Sequence, residues 1–303
     1  MSAGRPVFSI PVVIILAAAI TTVAAAWGPA GAEEQPASAW VALHNARARL
    51  LAGPSPDRAR RSYMAGVEIE LADGWKTYWR MPGDAGVPPN FDWSGSSNVR
   101  SFKVLYPAPA RMHEAGSETV GYKHAVTMPV EIVPEDPSRP VGLALNLEFG
   151  VCREICIPAE AKLALTLLPS QLQGKPSPAL LSALDQVPRS PADRRHDDPQ
   201  VTRASAFLEG SSPHLIVVGR FPRGASGADL FIEAPDGLYV PMTQRLPRDG
   251  IGEGRAEADD AGDLVRFKVD LSRTGNAREF RGKSLRLTLV SEAGATETSW
   301  VVP

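Results

Sequence analysis

The sequence predicts an all-β protein: an antiparallel β-sandwich followed by a second, smaller β-sandwich module. Apolar and polar residues alternate along many short runs, the period of a strand with one buried face. Glycine, proline and aspartate punctuate those runs, as the turns of a sandwich require. Helical periodicity is scarce throughout the first half of the chain.

Taken in order, the stretch Trp40–His44 with Ala48, Leu50 and Leu51 is compatible with an opening strand or a short helix. From Tyr63 the pattern turns two-fold: Val67, Ile69 and Leu71 alternate with Glu68, Glu70 and Ala72. Ala72-Asp73-Gly74 is a turn, and Trp75–Arg80 is the return strand, carrying Tyr78 and Trp79. Met81–Pro89 is expected to be irregular, because its prolines lack an N–H and its glycines favour turns. Phe91 and Trp93 resume an apolar face. Further strands are expected over Phe102–Tyr106, Ala125–Val133, Val141–Val151 and Ala161–Leu168.

Six prolines between Pro169 and Pro199 interrupt this pattern, with two turns of helix expected at Ala179–Gln186. Residues 169–201 therefore read as a proline-rich linker between a first sandwich, 36–168, and a second, 202–303. The second carries strand patterns at Leu215–Val218, Leu230–Glu233, Leu264–Leu271, Ser284–Val290 and Thr296–Val302. It has no cysteine, no metal-ligand cluster and no phosphate-binding glycine loop, so it reads as a docking or spacing module.

The N-terminus sets the compartment. Arg5 precedes an apolar run from Val7 to Ala26, and Ala30-Gly31-Ala32 follows. That is the charged, apolar and small-residue order of a cleaved signal peptide over residues 1–32. The competing reading is a retained N-terminal membrane anchor. Either way the remainder faces an oxidising compartment, a periplasm in the first reading. Loss of residues 1–32 removes Arg5 alone and leaves a net charge of about −3. No basic face is concentrated enough for nucleic acid. No catalytic triad, carboxylate pair or P-loop stands out, and no cofactor is called for.

The two cysteines, Cys152 and Cys156, are then the sequence's one centre of redox chemistry. They lie between two alternating runs. If these runs pair as a hairpin, the cysteines oppose each other across its base, close enough to bond. So short a loop constrains the unfolded chain little. A reversible redox pair and a static staple both remain open on spacing alone. Arg153 would favour a thiolate and Glu154 oppose it. Pro158 withholds an N–H, either to keep an edge from pairing or to end the loop.

Four separated segments then agree with one family. Gly74-Trp75-Lys76-Thr77-Tyr78-Trp79-Arg80, Pro82–Pro89, Gly121-Tyr122 and Cys152–Pro158 occur in this order. The chain over roughly 40–168 resembles the N-terminal periplasmic domain of the DsbD/ScsB thiol:disulfide interchange proteins. The resemblance implies an immunoglobulin-like sandwich and a protein-disulfide reductase activity. Its cysteine pair would be reduced by a membrane-embedded partner and would pass electrons to periplasmic thioredoxin-fold proteins or other disulfides. Cys156 would form the mixed disulfide. The family's membrane and thioredoxin domains are absent from this sequence, so the electron donor would be a separate membrane-embedded thiol reductase. The second half resembles the two-module ScsB type more weakly.

In the family a loop with an aromatic shields the cysteines. The matching stretch here, Met112–Glu118, has none, which leaves Met112 or Tyr122 as substitutes. His113 and Glu114 are candidates for tuning a thiol or for plain solvated loop residues. Trp75, Tyr78, Trp79 and Trp93 read as core, or as the walls of a docking groove. The rival functions are a non-enzymatic binding module with a structural disulfide, and a Cu(I) site for copper tolerance. The latter would use Cys152 and Cys156 with Met112, His113 or His124.

Overall fold

The computed structural model describes residues 36–303 apart from 58, 60, 115, 236 and 248–262, with Met1 and Gly4. The expected leader at 1–32 lies, apart from Met1 and Gly4, outside the described residues. Among the described residues, no helix is long and apolar enough to cross a membrane. Gln35–Pro303 forms one compact unit.

The first sandwich opens with strands rather than a helix: β1 (Val41–Leu43) and β2 (Ala46–Pro54), then β3 (Tyr63–Leu71). The alternation in β3 has its expected cause. Val67, Ile69 and Leu71 enter the core, while Glu68 and Glu70 point outward to Arg49 and Arg47 of β2. Both guanidiniums stack on Trp40, each 4.3 Å from its ring.

Next come β4 (Lys76–Gly83), β5 (Asn90–Asp92), β6 (Val99–Val104), β7 (Ala110–Glu114) and β8 (Ser117–Lys123). The sandwich closes with β9 (Ala125–Pro134), β10 (Val141–Cys152) and β11 (Cys156–Leu167). One sheet has the order β1-β2-β3-β9-β6. The facing sheet runs β11-β10-β4-β8-β7, with β5 also paired to β10. Leu143, Leu145, Leu147, Phe149 and Val151 of β10 are all buried between the sheets.

Two local expectations are corrected here. Pro82 and Gly83 belong to β4, whose register with β8 shifts between Tyr78 and Gly83. A register shift is where a strand accommodates a residue without an N–H. Met112–Glu118 is not a cap loop but a β-hairpin, with Met112 paired to Thr119 and His113 to Glu118. Its polar composition hid it, because the face turned from the core carries no apolar alternation.

The linker is packed rather than loose. A 3-10 turn spans Pro169–Gln173, and α1 (Pro178–Asp185) follows, capped by the Ser177 side chain. Leu180 of α1 is buried with Leu51 and Met64 of the first sandwich. Arg189 then reaches the buried carboxylate of Asp198 at 2.9 Å.

The second sandwich comprises β12 (Gln200–Phe207), β13 (His214–Arg220), β14 (Asp229–Glu233), β15 (Gln244–Arg245), β16 (Leu264–Asp270), β17 (Ser284–Ser291) and β18 (Gly294–Val301). They pair as β12-β13-β16-β15 and β14-β17-β18. β12 was not expected, because a register shift between Val201 and Arg203 breaks its alternation. A separate core, with Leu215, Phe267 and Leu287 fully buried, fills this module.

The two sandwiches bury apolar residues against each other, and Met242 and Val290 of the second pack against the first core. Phe231 of β14 is buried within the first core, its ring 5.7 Å from Trp79. Around it, Arg111 of β7 pairs with Asp229 at 2.6 Å and Glu118 at 2.6 Å. Arg80 of β4 pairs with Glu233 at 2.8 Å and also with Glu297. Burial costs both guanidiniums solvation, but hydrogen bonds and opposite charge outweigh this and hold each pKa above its ordinary value.

Candidate functional site

β10 and β11 form an antiparallel hairpin in unbroken register from Val141↔Leu167 to Cys152↔Cys156. The cysteines are the last pair before a three-residue loop, and they are disulfide-bonded with Cα atoms 4.1 Å apart. The loop turns tightly, with the Arg153 N–H donating to the Ile155 carbonyl at 3.0 Å.

The two sulfurs differ in surroundings. Val151 faces the core, so its neighbours Cys152 and Gly150 lie on the other face of the sheet. Cys152 is only 1% exposed, whereas Cys156, on the edge strand β11, is exposed.

β4 supplies the wall. Lys76 pairs in register with Cys152, and Tyr78 lies two residues further along the same face. The Tyr78 hydroxyl is 3.1 Å from Cys156 Sγ. Its ring fits because glycine stands on both sides. A Cβ at Gly86 would come within 2.6 Å of the ring, and one at Gly150 within 3.2 Å. Gly86 also has φ +144°, which L side chains rarely adopt. The segment Gly83–Val87 thus lies over Tyr78, held by the Asp84 N–H donating to the Glu118 carbonyl at 2.9 Å. This segment packs on the Tyr78 ring whose hydroxyl meets Cys156.

Lys76 was not singled out in the sequence. It is buried, and its Nζ donates to Thr119 Oγ1 at 3.3 Å. The available signal was its position two residues before Tyr78 on a strand, which puts both on one face.

The other expected site residues fall as follows. Arg153 is exposed, with its side chain beside Gly74 and a long 3.9 Å pairing to Glu154. Pro158 pairs in register with Gly150 inside β11, so it does not end the loop, and it sits on an edge strand as a residue without an N–H should. His113 is exposed, with Nδ1 3.1 Å from Glu118 Oε1. Glu114 ends β7 opposite Ser117. The register sets this hairpin tip six residues along β8 from Lys123, which flanks Lys76, or roughly 20 Å away.

Met112 is buried on that hairpin, paired to Thr119, whose hydroxyl accepts from Lys76 Nζ. Tyr122 is no shield: it faces the core, with its hydroxyl donating to the Pro107 carbonyl at 2.8 Å. Burial pushes its phenol well above the ordinary value. Trp79 and Trp93 are core, and Trp75 packs edge-on against His44. Of the four aromatics, Tyr78 meets a sulfur through its hydroxyl. His124 occupies the β8–β9 turn. Among the described residues, no group of three or more His, Cys, Asp or Glu is placed to hold a metal ion.

Residues 52–168 match the family described as thiol:disulfide interchange protein DsbD, N-terminal. No curated protein matches the chain. Among solved structures, the fold is similar to that of the N-terminal periplasmic domain of ScsB from Proteus mirabilis. The TM-score is 0.65 at 22% identity, covering 89% of this chain and 99% of that one. The likeness of fold therefore extends beyond the first sandwich into the second.

Proposed function

We propose, from the premise that residues 52–168 of this chain are a DsbD-type N-terminal domain, that the protein is a periplasmic thiol:disulfide interchange protein. It passes electrons through Cys152 and Cys156 between a separate membrane-embedded reductase and the disulfides of other periplasmic proteins. One observation carries the reading: Cys156 is exposed beside a phenolic hydroxyl, while Cys152 is buried directly behind it.

In the reduced pair the Tyr78 hydroxyl donates to the Cys156 thiolate. That thiolate attacks one sulfur of a partner disulfide. A Cys156–partner bond forms, the partner's S–S bond breaks, and its second sulfur leaves as a thiolate that takes a proton from water. Cys152, deprotonated by solvent, then attacks Cys156 Sγ. The mixed bond breaks, the partner's first sulfur departs, and Cys152–Cys156 closes. Two electrons have passed to the partner. The reductase restores the dithiol by the reverse exchange.

Cys152→Ser should accumulate covalent complexes with periplasmic thiol proteins on non-reducing gels, and Cys156→Ser should accumulate few. Closing so short a loop contributes only about 2 kcal/mol of chain entropy, so both variants should stay folded. If neither traps a partner and both lose most of their stability, the bond is the static staple of a binding module. Trapping by Cys156→Ser alone would reverse the two roles.

A further inference from the structure

Exchange requires a partner sulfur in line with Cys156 Sγ, so any protein disulfide that reacts here must cover the surface around that atom. That surface carries exposed apolar side chains beside the charged Arg153 and Glu154. Ile155, between the cysteines, is 68% exposed, and Val87, whose side chain stands over Gly150, is 55% exposed. A third exposed side chain with a large apolar face comes from the other sandwich. Tyr239 is 53% exposed, and its hydroxyl donates to Asp84 Oδ1 at 3.0 Å.

Asp84 carries the bond to Tyr239, Gly86 two residues on meets the Tyr78 ring, and the Tyr78 hydroxyl meets Cys156 Sγ, so the Tyr239 hydroxyl lies within roughly 24 Å of that sulfur. A partner footprint of about 800 Å² is a disc about 32 Å across. One partner whose footprint holds Cys156 off its centre therefore spans Ile155, Val87 and Tyr239 together. Tyrosine suits such a place, offering a large apolar face with few rotamers to lose. The bond to Asp84 restrains it further before any partner arrives.

We propose that Tyr239 of the second sandwich, with Val87 and Ile155, forms the docking surface for a protein disulfide set in an apolar surround. This rests on the interchange reading above and assigns the second sandwich a part in recognising the partner. A small disulfide needs only the sulfur, whereas a protein disulfide also meets the surface. The two sources are thereby distinguishable.

The test uses the purified full chain, reduced and freed of reductant. Its oxidation is timed with oxidised glutathione and, separately, with oxidised thioredoxin as the protein probe. Tyr239→Ala should slow the thioredoxin reaction about tenfold and the glutathione reaction by less than about twofold. Tyr239→Phe keeps the ring, loses the bond to Asp84, and should react with thioredoxin at close to the wild-type rate.

Unchanged thioredoxin kinetics in Tyr239→Ala would overturn the proposal. So would slowing with both probes, because the effect would then run through the Gly83–Val87 segment to the sulfur. A Tyr239→Phe variant as slow as Tyr239→Ala would likewise overturn it, by assigning the effect to the Asp84 bond. Wild-type protein that exchanges with glutathione but not thioredoxin refutes protein docking at this surface. Wild-type protein inert to both probes refutes the interchange reading itself.

Discussion

Replacing Phe231 by alanine removes a ring that belongs to the second sandwich by sequence and to the first by packing. The ring is 1% exposed, lies 5.7 Å from Trp79, and has the Arg111 guanidinium 5.7 Å from its centroid. A buried phenylalanine removes roughly 150–200 Å² from water, about 4 kcal/mol at 25 cal/mol per Å². The cavity left between two separate sheets has little means of collapsing, so the loss should sit in the upper part of the usual ~3–5 kcal/mol range. Arg111, Asp229 and Glu118 would also gain water, which weakens their pairing. Urea unfolding followed by circular dichroism gives the total. Hydrogen exchange read by mass spectrometry separates β3 and β10 of the first sandwich from β13 and β16 of the second. Both sets of amides should lose protection in Phe231→Ala. Phe267→Ala, equally buried but inside the second core, should expose β13 and β16 first. A loss below about 1 kcal/mol, or β3 and β10 protected as in the wild type, would show that the sandwiches are independent and the reasoning wrong.

Tyr78→Phe removes a hydroxyl 3.1 Å from Cys156 Sγ. Losing about 1.5 kcal/mol of charge-assisted hydrogen bonding cuts the thiolate population about tenfold, and greater intrinsic reactivity of the more basic thiolate recovers about threefold. Iodoacetamide should therefore alkylate Cys156 roughly threefold more slowly at neutral pH; an unchanged or faster rate removes Tyr78 from the chemistry. The tyrosines make a separate prediction. Burial, the first cause in each case, raises the phenols of Tyr63, Tyr106 and Tyr122 above 10.0. The unfolded chain gives up those protons first, so their contribution to stability is intact below pH 10 and declines as pH rises from there toward the folded values. Absorbance at 295 nm should show phenolate appearing together with unfolding; full ionisation of all five tyrosines in still-folded protein would contradict it.

Much of the fold was legible because strand burial leaves a local trace. Val67, Ile69 and Leu71, or Leu143 through Phe149, alternate because successive side chains of a strand point to opposite faces, and no distant contact is needed to read it. Where a register shift breaks the alternation, as in β12, the strand was missed. Where a polar face hides it, as in β7 and β8, a hairpin read as a loop.

The site divides in the same way. Sequence alone determined that two cysteines four positions apart, between two alternating runs, would oppose each other at a hairpin base, because antiparallel register is set by local spacing. It did not determine which sulfur is exposed, since that depends on which edge of the sheet β11 occupies. It did not bring Tyr78 to Cys156, a contact between residues 78 positions apart that needs Gly86 and Gly150 on the two sides of one ring. Nor did it place Phe231 in the first core or Tyr239 against Asp84. Those contacts arise when two sandwiches bury surface against each other, and burial between distant segments leaves no periodicity in either one.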